Sequence, residues 1–244
     1  EVLKGPSTLL FGSGAIGGAV NVVDGRIHEQ PLEGIGGRAE IRGNTVADER
    51  AGMFRIDAGN GPWVFHADAW YRRTDDYRIP GEAELDDHDD HGHGHGHDED
   101  DDHGDGGRLE NSATRNRGGA VAVSRIGERG FLAIALSRFE SRYGLPGHGH
   151  HDDEHEHDLP VGVRAVRDGD DEEEEVVTLD MRQNRADLKG ALDAPFAGHE
   201  ALRVRVSHSD YTHTEFEGDE VGTVFENKAL EARVELVHAE VGGW

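Results

Sequence analysis

The sequence predicts an all-β chain, and more narrowly part of an antiparallel transmembrane β-barrel contributing about eight strands. Three observations carry that prediction. Long segments alternate apolar and polar residues with period two. Several run past ten residues, which suits tilted barrel strands of about 9–11 residues with extensions better than the shorter strands of a soluble sandwich. The links between them alternate short and long, as in an up-and-down sheet whose successive connections lie on opposite rims. No apolar run approaches the ~20 residues of a membrane helix, and barrel strands need none.

Taken in order, the candidate strands are 35–43, 49–59, 63–75, 115–127, 130–143, 177–193, 200–214 and 225–238. The third is the clearest. Trp63, Phe65, Ala67, Ala69 and Tyr71 fall on one face, and His66, Asp68, Trp70 and Arg72 on the other. Leu202, Val204 and Val206 alternate with Arg203, Arg205 and Ser207 in the same way, and Leu230, Ala232, Val234 and Leu236 with Glu231, Arg233 and Glu235. Links 59–62, 127–130 and 194–199 are short, whereas 76–114, 144–176 and 215–224 are longer. Both of the longest links are therefore expected on a single rim, the outer one.

Those two links hold most of the unusual composition. Residues 86–107 read DDHDDHGHGHGHDEDDDHGDGG and 148–158 read HGHHDDEHEHD. They carry His88, His91, His93, His95, His97 and His103, then His148, His150, His151, His155 and His157, eleven of the 17 histidines. Nothing in them can build a core, so they read as solvated loops. Imidazole nitrogens with carboxylate oxygens are the ligand set of borderline divalent cations such as zinc, and nickel or copper would bind imidazole at least as well. Histidines two apart with glycine between them let an extended or folded-back chain bring several rings to one ion. Calcium fits less well: the run from Asp101 through His103 and Asp105 starts like a calcium loop but has His at the third position and Ser112 at the twelfth.

Charge narrows the partners. The net charge of -26 would repel a phosphate backbone, so nucleic acid is excluded as a partner. The acids are concentrated in 82–105 and 152–175, and the rest of the chain is much closer to balanced. There is no cysteine, which removes disulfides and thiolate metal sites. No nucleophile and base arrangement stands out, so no enzyme activity and no organic cofactor are expected. A second, smaller group of candidate metal ligands lies on strands. His213 shares a face with Ser209 and Tyr211, and Glu215 continues that face into the adjoining loop. His66 and Asp68 also share a polar face and read as wall residues, while His208 and His238 fall on the apolar parity.

The start of the chain contains Gly12-Ser13-Gly14-Ala15-Ile16-Gly17, a literal match to a dinucleotide-binding turn. A strand-like Gly18-Ala19-Val20-Asn21-Val22-Val23 follows where that motif needs a helix, so the match lacks its context. What the segment resembles is the end of the plug domain of TonB-dependent outer-membrane receptors, through Glu1-Val2-Leu3-Lys4-Gly5-Pro6-Ser7, the turn Phe11 to Gly18, and Val20 to Val23. Further on, His208 to Glu215, Glu217-Gly218, Val221-Gly222-Thr223, Phe225, Asn227, Glu231, Arg233, Glu235, His238 and Gly242-Gly243-Trp244 resemble the zinc-uptake branch of that family.

The resemblance implies a plug end at 1–30 and the first part of a barrel at 31–244. It implies an outer-membrane receptor of a Gram-negative bacterium, with zinc as transported ion. The implied partners are outer-membrane lipid and the TonB energy-coupling protein, the latter through an N-terminal segment outside this chain, which reads as an internal fragment. Two alternatives stay open: a siderophore or haem receptor of the same family, and a soluble β-rich metal buffer. The first would want aromatic outer loops, yet 76–114 and 144–176 contain only Tyr77 among aromatic residues.

Overall fold

The computed structural model describes residues 2–6, 16–20, 24–81, 107–146 and 176–240. Among them there is no helix. The strands are β1 (Val2–Lys4), β2 (Gly18–Val20), β3 (Leu32–Asn44), β4 (Glu49–Gly61), β5 (Trp63–Thr74), β6 (Tyr77–Arg78), β7 (Arg108–Leu109), β8 (Thr114–Gly127), β9 (Gly130–Gly144), β10 (Val177–Asp193), β11 (His199–Glu217) and β12 (Glu220–His238). Eight of them form one antiparallel sheet in the order β12-β11-β10-β9-β8-β5-β4-β3. Each long strand pairs with the one before it, so the sheet is an up-and-down meander. β1 pairs with β2 and β6 with β7 as separate two-stranded ribbons. The glycine turn expected between β1 and β2 lies outside the described residues.

The alternation seen in the sequence becomes two continuous faces because the registers align like parity with like. On one face Ile56 lies beside Ala67, Ala67 beside Val121, Val121 beside Leu136, Leu136 beside Ala186, Ala186 beside His208, and His208 beside Leu230. On the other, Asp57 lies beside His66, His66 beside Ala122 and Ala122 beside Ala135. A one-residue slip in any pair would exchange the faces, so the pattern itself fixes the register.

On β4, β5, β8, β9 and the end of β12 the apolar face is the exposed one, whereas on β11 Arg203 and Arg205 of the polar face are exposed and Leu202, Val204 and Val206 half-buried. Ile134 keeps 49% of its surface in contact with the surroundings and Val234 67%, whereas His66 keeps 3% and Ser124 1% on the polar face. A water-soluble sheet does the opposite, covering its apolar face and solvating the polar one. The apolar face also forms a band with edges. Along β5 it runs from Trp63 to Tyr71, eight residue steps or about 26 Å of strand. Above it the same face turns charged or polar: Leu136 is followed by Arg138 and Glu140, and Ala186 is preceded by Asn184 and Arg182. At the lower edge the Arg125 guanidinium lies over the Trp63 ring, 5.2 Å from its centre.

Connections sort onto two rims. One carries the turn 45–48, the links 75–113 and 145–176, and the turn Gly218-Asp219; the other carries Pro62, Glu128-Arg129 and 194–198. Hydrogen bonds tie the first set together. The Asp75 and Arg78 amides donate to Ala47 and Val46 carbonyls at 2.9 and 2.8 Å, and the Gly218 amide to Val176 at 3.1 Å. Asn111, in the left-handed region at φ 56°, donates from Nδ2 to the Leu145 and Val177 carbonyls at 3.0 and 2.7 Å. One side chain at the root of the first long link thus holds both roots of the second.

The expected long link 215–224 is not long. β11 and β12 continue into it and meet at Gly218-Asp219, with Phe216 paired to Val221 and Glu217 to Glu220. Gly218 at φ 58° takes the left-handed turn conformation that residues with a Cβ avoid. The cluster of acids and glycine suggested a loop, but Phe216, Val221 and Val224 keep the segment extended. Glu215 accordingly lies in β11, opposite Leu179, and not in a loop.

Candidate metal site on the polar face

Of the predicted ligands, His88, His91, His93, His95, His97, His103, His148, His150, His151, His155 and His157 lie outside the described residues. Their points of attachment are described: 81 and 107 for one segment, 146 and 176 for the other, all on the same rim. The segment 82–106 leaves through the β6–β7 ribbon. There Asp76 Oδ1 accepts from the Ser112 and Ala113 amides, both at 2.9 Å, closing the neck of the link.

His213 and Glu215 do share one face of β11, near this rim. His213 sits between Met181 of β10 and Phe225 of β12, with the Tyr211 ring 6.3 Å away and edge-on. Its Nε2 is buried and has no hydrogen-bond partner. Among the described residues, no third ligand completes a set around His213 and Glu215.

One complete set exists among the described residues, and two of its three members were not foreseen. It consists of His28, Asp57 and His66, whose ligand atoms all lie within 4.8 Å of one another. β4 and β5 position two of them. The tight connection at Pro62 sets a register that puts Asp57 directly opposite His66 on the polar face. Residues 24–31 supply the third by crossing that face in irregular backbone.

Asp57 Oδ1 is shared by both rings, 2.7 Å from His28 Nε2 and 2.7 Å from His66 Nδ1. Asp57 Oδ2 accepts from Arg55 Nε at 2.7 Å. The second nitrogen of His66, Nε2, is 2.7 Å from Asp68 Oδ2, which is also 3.5 Å from Arg26 Nε.

The same segment is fastened elsewhere. The Arg55 guanidinium donates to the Gly25 carbonyl at 3.1 Å, and Lys189 of β10 is paired with Glu29. Adjacent residues His28 and Glu29 thus reach β4 and β10, with β5, β8 and β9 between them in the sheet. This is a network of charged and imidazole groups on a face that a soluble protein would leave to water.

No protein-family model matches the chain. What can be assigned is therefore what the geometry carries: a polar face with histidine and aspartate in ligand-like contact, and a rim from which both His-rich segments emerge.

Asp57 and His66 were legible in principle, since polar parity on two strands joined by a tight turn puts them in register. His28 was not. It lies in no periodic segment, and its partners are 29 and 38 residues away in sequence.

Proposed function

We propose that the chain is part of a TonB-dependent outer-membrane receptor that captures and imports a divalent metal ion, zinc in the first place, with nickel or copper as alternatives. The observation that carries this reading is the inverted sheet, with its apolar band exposed and the polar face of β5, β8 and β9 largely buried, joined to two His-rich segments rooted on one rim. Exposed large apolar residues lie on seven of the eight strands of the sheet, β11 excepted; soluble monomers rarely expose so broad an apolar face, and a bilayer is the solvent that would cover it. The same observation weighs against a soluble metal buffer.

In this reading the sheet closes around its polar face together with further strands, and the ribbon β1–β2 belongs to a plug inside it. His88 to His103 and His148 to His157 stand over the mouth and collect the ion through weak, exchangeable sites, which raise its local concentration. His213 and Glu215 line the wall below. No bond in a substrate is made or broken; the work is capture, passage and release. Energy would come from the TonB coupling protein.

The test is uptake. In cells expressing the full-length receptor, replacing 86–107 and 148–158 by Gly-Ser segments of equal length should lower zinc accumulation several-fold at limiting zinc and little at high zinc. Collapse of the proton gradient should abolish it. Zinc accumulation that ignores both treatments, or competition won by a siderophore or haem over zinc, nickel and copper, would overturn the reading.

A further inference from the structure

We propose that His28, Asp57 and His66 form a divalent-metal site, selecting zinc or a similar borderline cation, at the seam where residues 24–31 meet the β4–β5 wall. The donor atoms are already gathered within 4.8 Å. Around a tetrahedral zinc, ligands at about 2.0–2.2 Å stand roughly 3.3–3.6 Å apart, so small side-chain rotations suffice. Two imidazoles and one carboxylate make a three-ligand site that leaves a fourth position for water or for an arriving or departing ligand.

A second observation points the same way. A metal-bound imidazole is held by a partner on its other nitrogen, a carboxylate, a backbone carbonyl or water. His66 has one: Nδ1 faces the cluster and Nε2 faces Asp68 Oδ2 at 2.7 Å, with the ring almost fully buried. Asp57 is held as well: its Oδ2 accepts from Arg55 Nε, and its Oδ1, shared by the two rings, also accepts from Arg55 Nη2 at the longer distance of 3.3 Å. An ion would take the place of the hydrogens now shared at Oδ1. Asp24, Asp57 and Asp68 against Arg26 and Arg55 leave one net negative charge, which suits an ion that exchanges. Bound there, the metal clips residues 24–31 to the wall. Its binding stands on this geometry alone; its place on an import route rests on the receptor reading.

The experiment uses the full-length protein in detergent with the eleven loop histidines changed to glutamine, dialysed against zinc and analysed for bound metal. His28→Gln and His66→Gln should each lose one zinc equivalent relative to that parent, while His208→Gln, on the exposed apolar face, should lose none. His28 lies outside every strand, so its loss leaves the sheet pairing intact. Crystals of the parent soaked in zinc should show an anomalous peak between the three residues. Equal stoichiometry in His28→Gln and the parent, or no peak at saturating zinc, would overturn the site. A peak in a protein whose cells take up no zinc would instead overturn the receptor reading and leave the site standing.

Discussion

At the scale of single residues, Glu49 ties β3 and β5 together at the rim. Its Oε1 accepts from Arg42 Nε of β3 at 2.9 Å, and its Oε2 accepts from Asn44 at 3.2 Å and from Arg72 of β5 at 2.8 and 3.0 Å. The hydrogen bond from Arg42, followed by those from Arg72, holds this carboxyl below the usual carboxylate range, against the opposing effect of burial. A carboxylate whose folded pKa lies below its unfolded value of 4.5 adds stability at higher pH and loses it as pH falls through the folded pKa. The melting temperature of the solubilised protein should therefore drop as the pH falls below about 5. Glu49→Gln should flatten part of that drop while lowering the midpoint at pH 7; an unchanged pH profile in the variant would show that Glu49 carries none of it. Reading such residues from sequence depends on where their partners lie. Asp57 and His66 are brought together by one hairpin, so parity alone could pair them. His28, Glu29 and Asn111 act through contacts far off in the chain and carry no local signal.

At the scale of elements, strand identity was legible because long amphipathic alternation leaves little choice, and the observed strands match the expected ones within a few residues except at β11–β12. There a charged, glycine-containing stretch concealed two strand extensions. The ribbon β6–β7 was hidden too, since two-residue strands have no period. It is held by Asp76 and Ser112, whose Oγ donates to the Leu109 carbonyl at 2.6 Å. The side of the sheet that meets apolar surroundings is testable on β9. Ile134 sits mid-band between Val123 and Leu188, while Ser137 on the polar face lies opposite Arg185. In a bilayer Ile134→Lys should cost about 2–4 kcal/mol, measured by denaturant titration of protein refolded into vesicles. Ser137→Glu, facing a guanidinium, should stay within about 0.5 kcal/mol. A soluble sheet with the polar face outside would make Ile134→Lys far more damaging in water than in lipid, and the protein would refold without vesicles.

At the scale of the whole molecule, both outermost strands are long, 13 residues in β3 and 19 in β12, and among the described residues no further strand pairs with their outer edges. Proteins ordinarily pair, cover or blunt such edges, and in the receptor reading further strands of a closed barrel pair with them. The sequence could give the rims only as an alternation of short and long links. The structure adds contacts that bind one rim together, from the turn 45–48 through Asn111 to Gly218. Which rim faces outward is then decided by chemistry that the chain makes easy to probe, because it contains no cysteine. Single cysteines at Thr45 and Asp219 lie on the rim of the His-rich segments, and single cysteines at Glu128 and Ala197 on the other, all at exposed positions. A membrane-impermeant maleimide added to intact cells expressing the full-length protein should label the first pair. The second pair should react only after the outer membrane is permeabilised. Labelling of both pairs on intact cells would mean that the sheet does not span the membrane. The reverse pattern would place the histidines on the periplasmic side, where they could not collect metal from outside the cell.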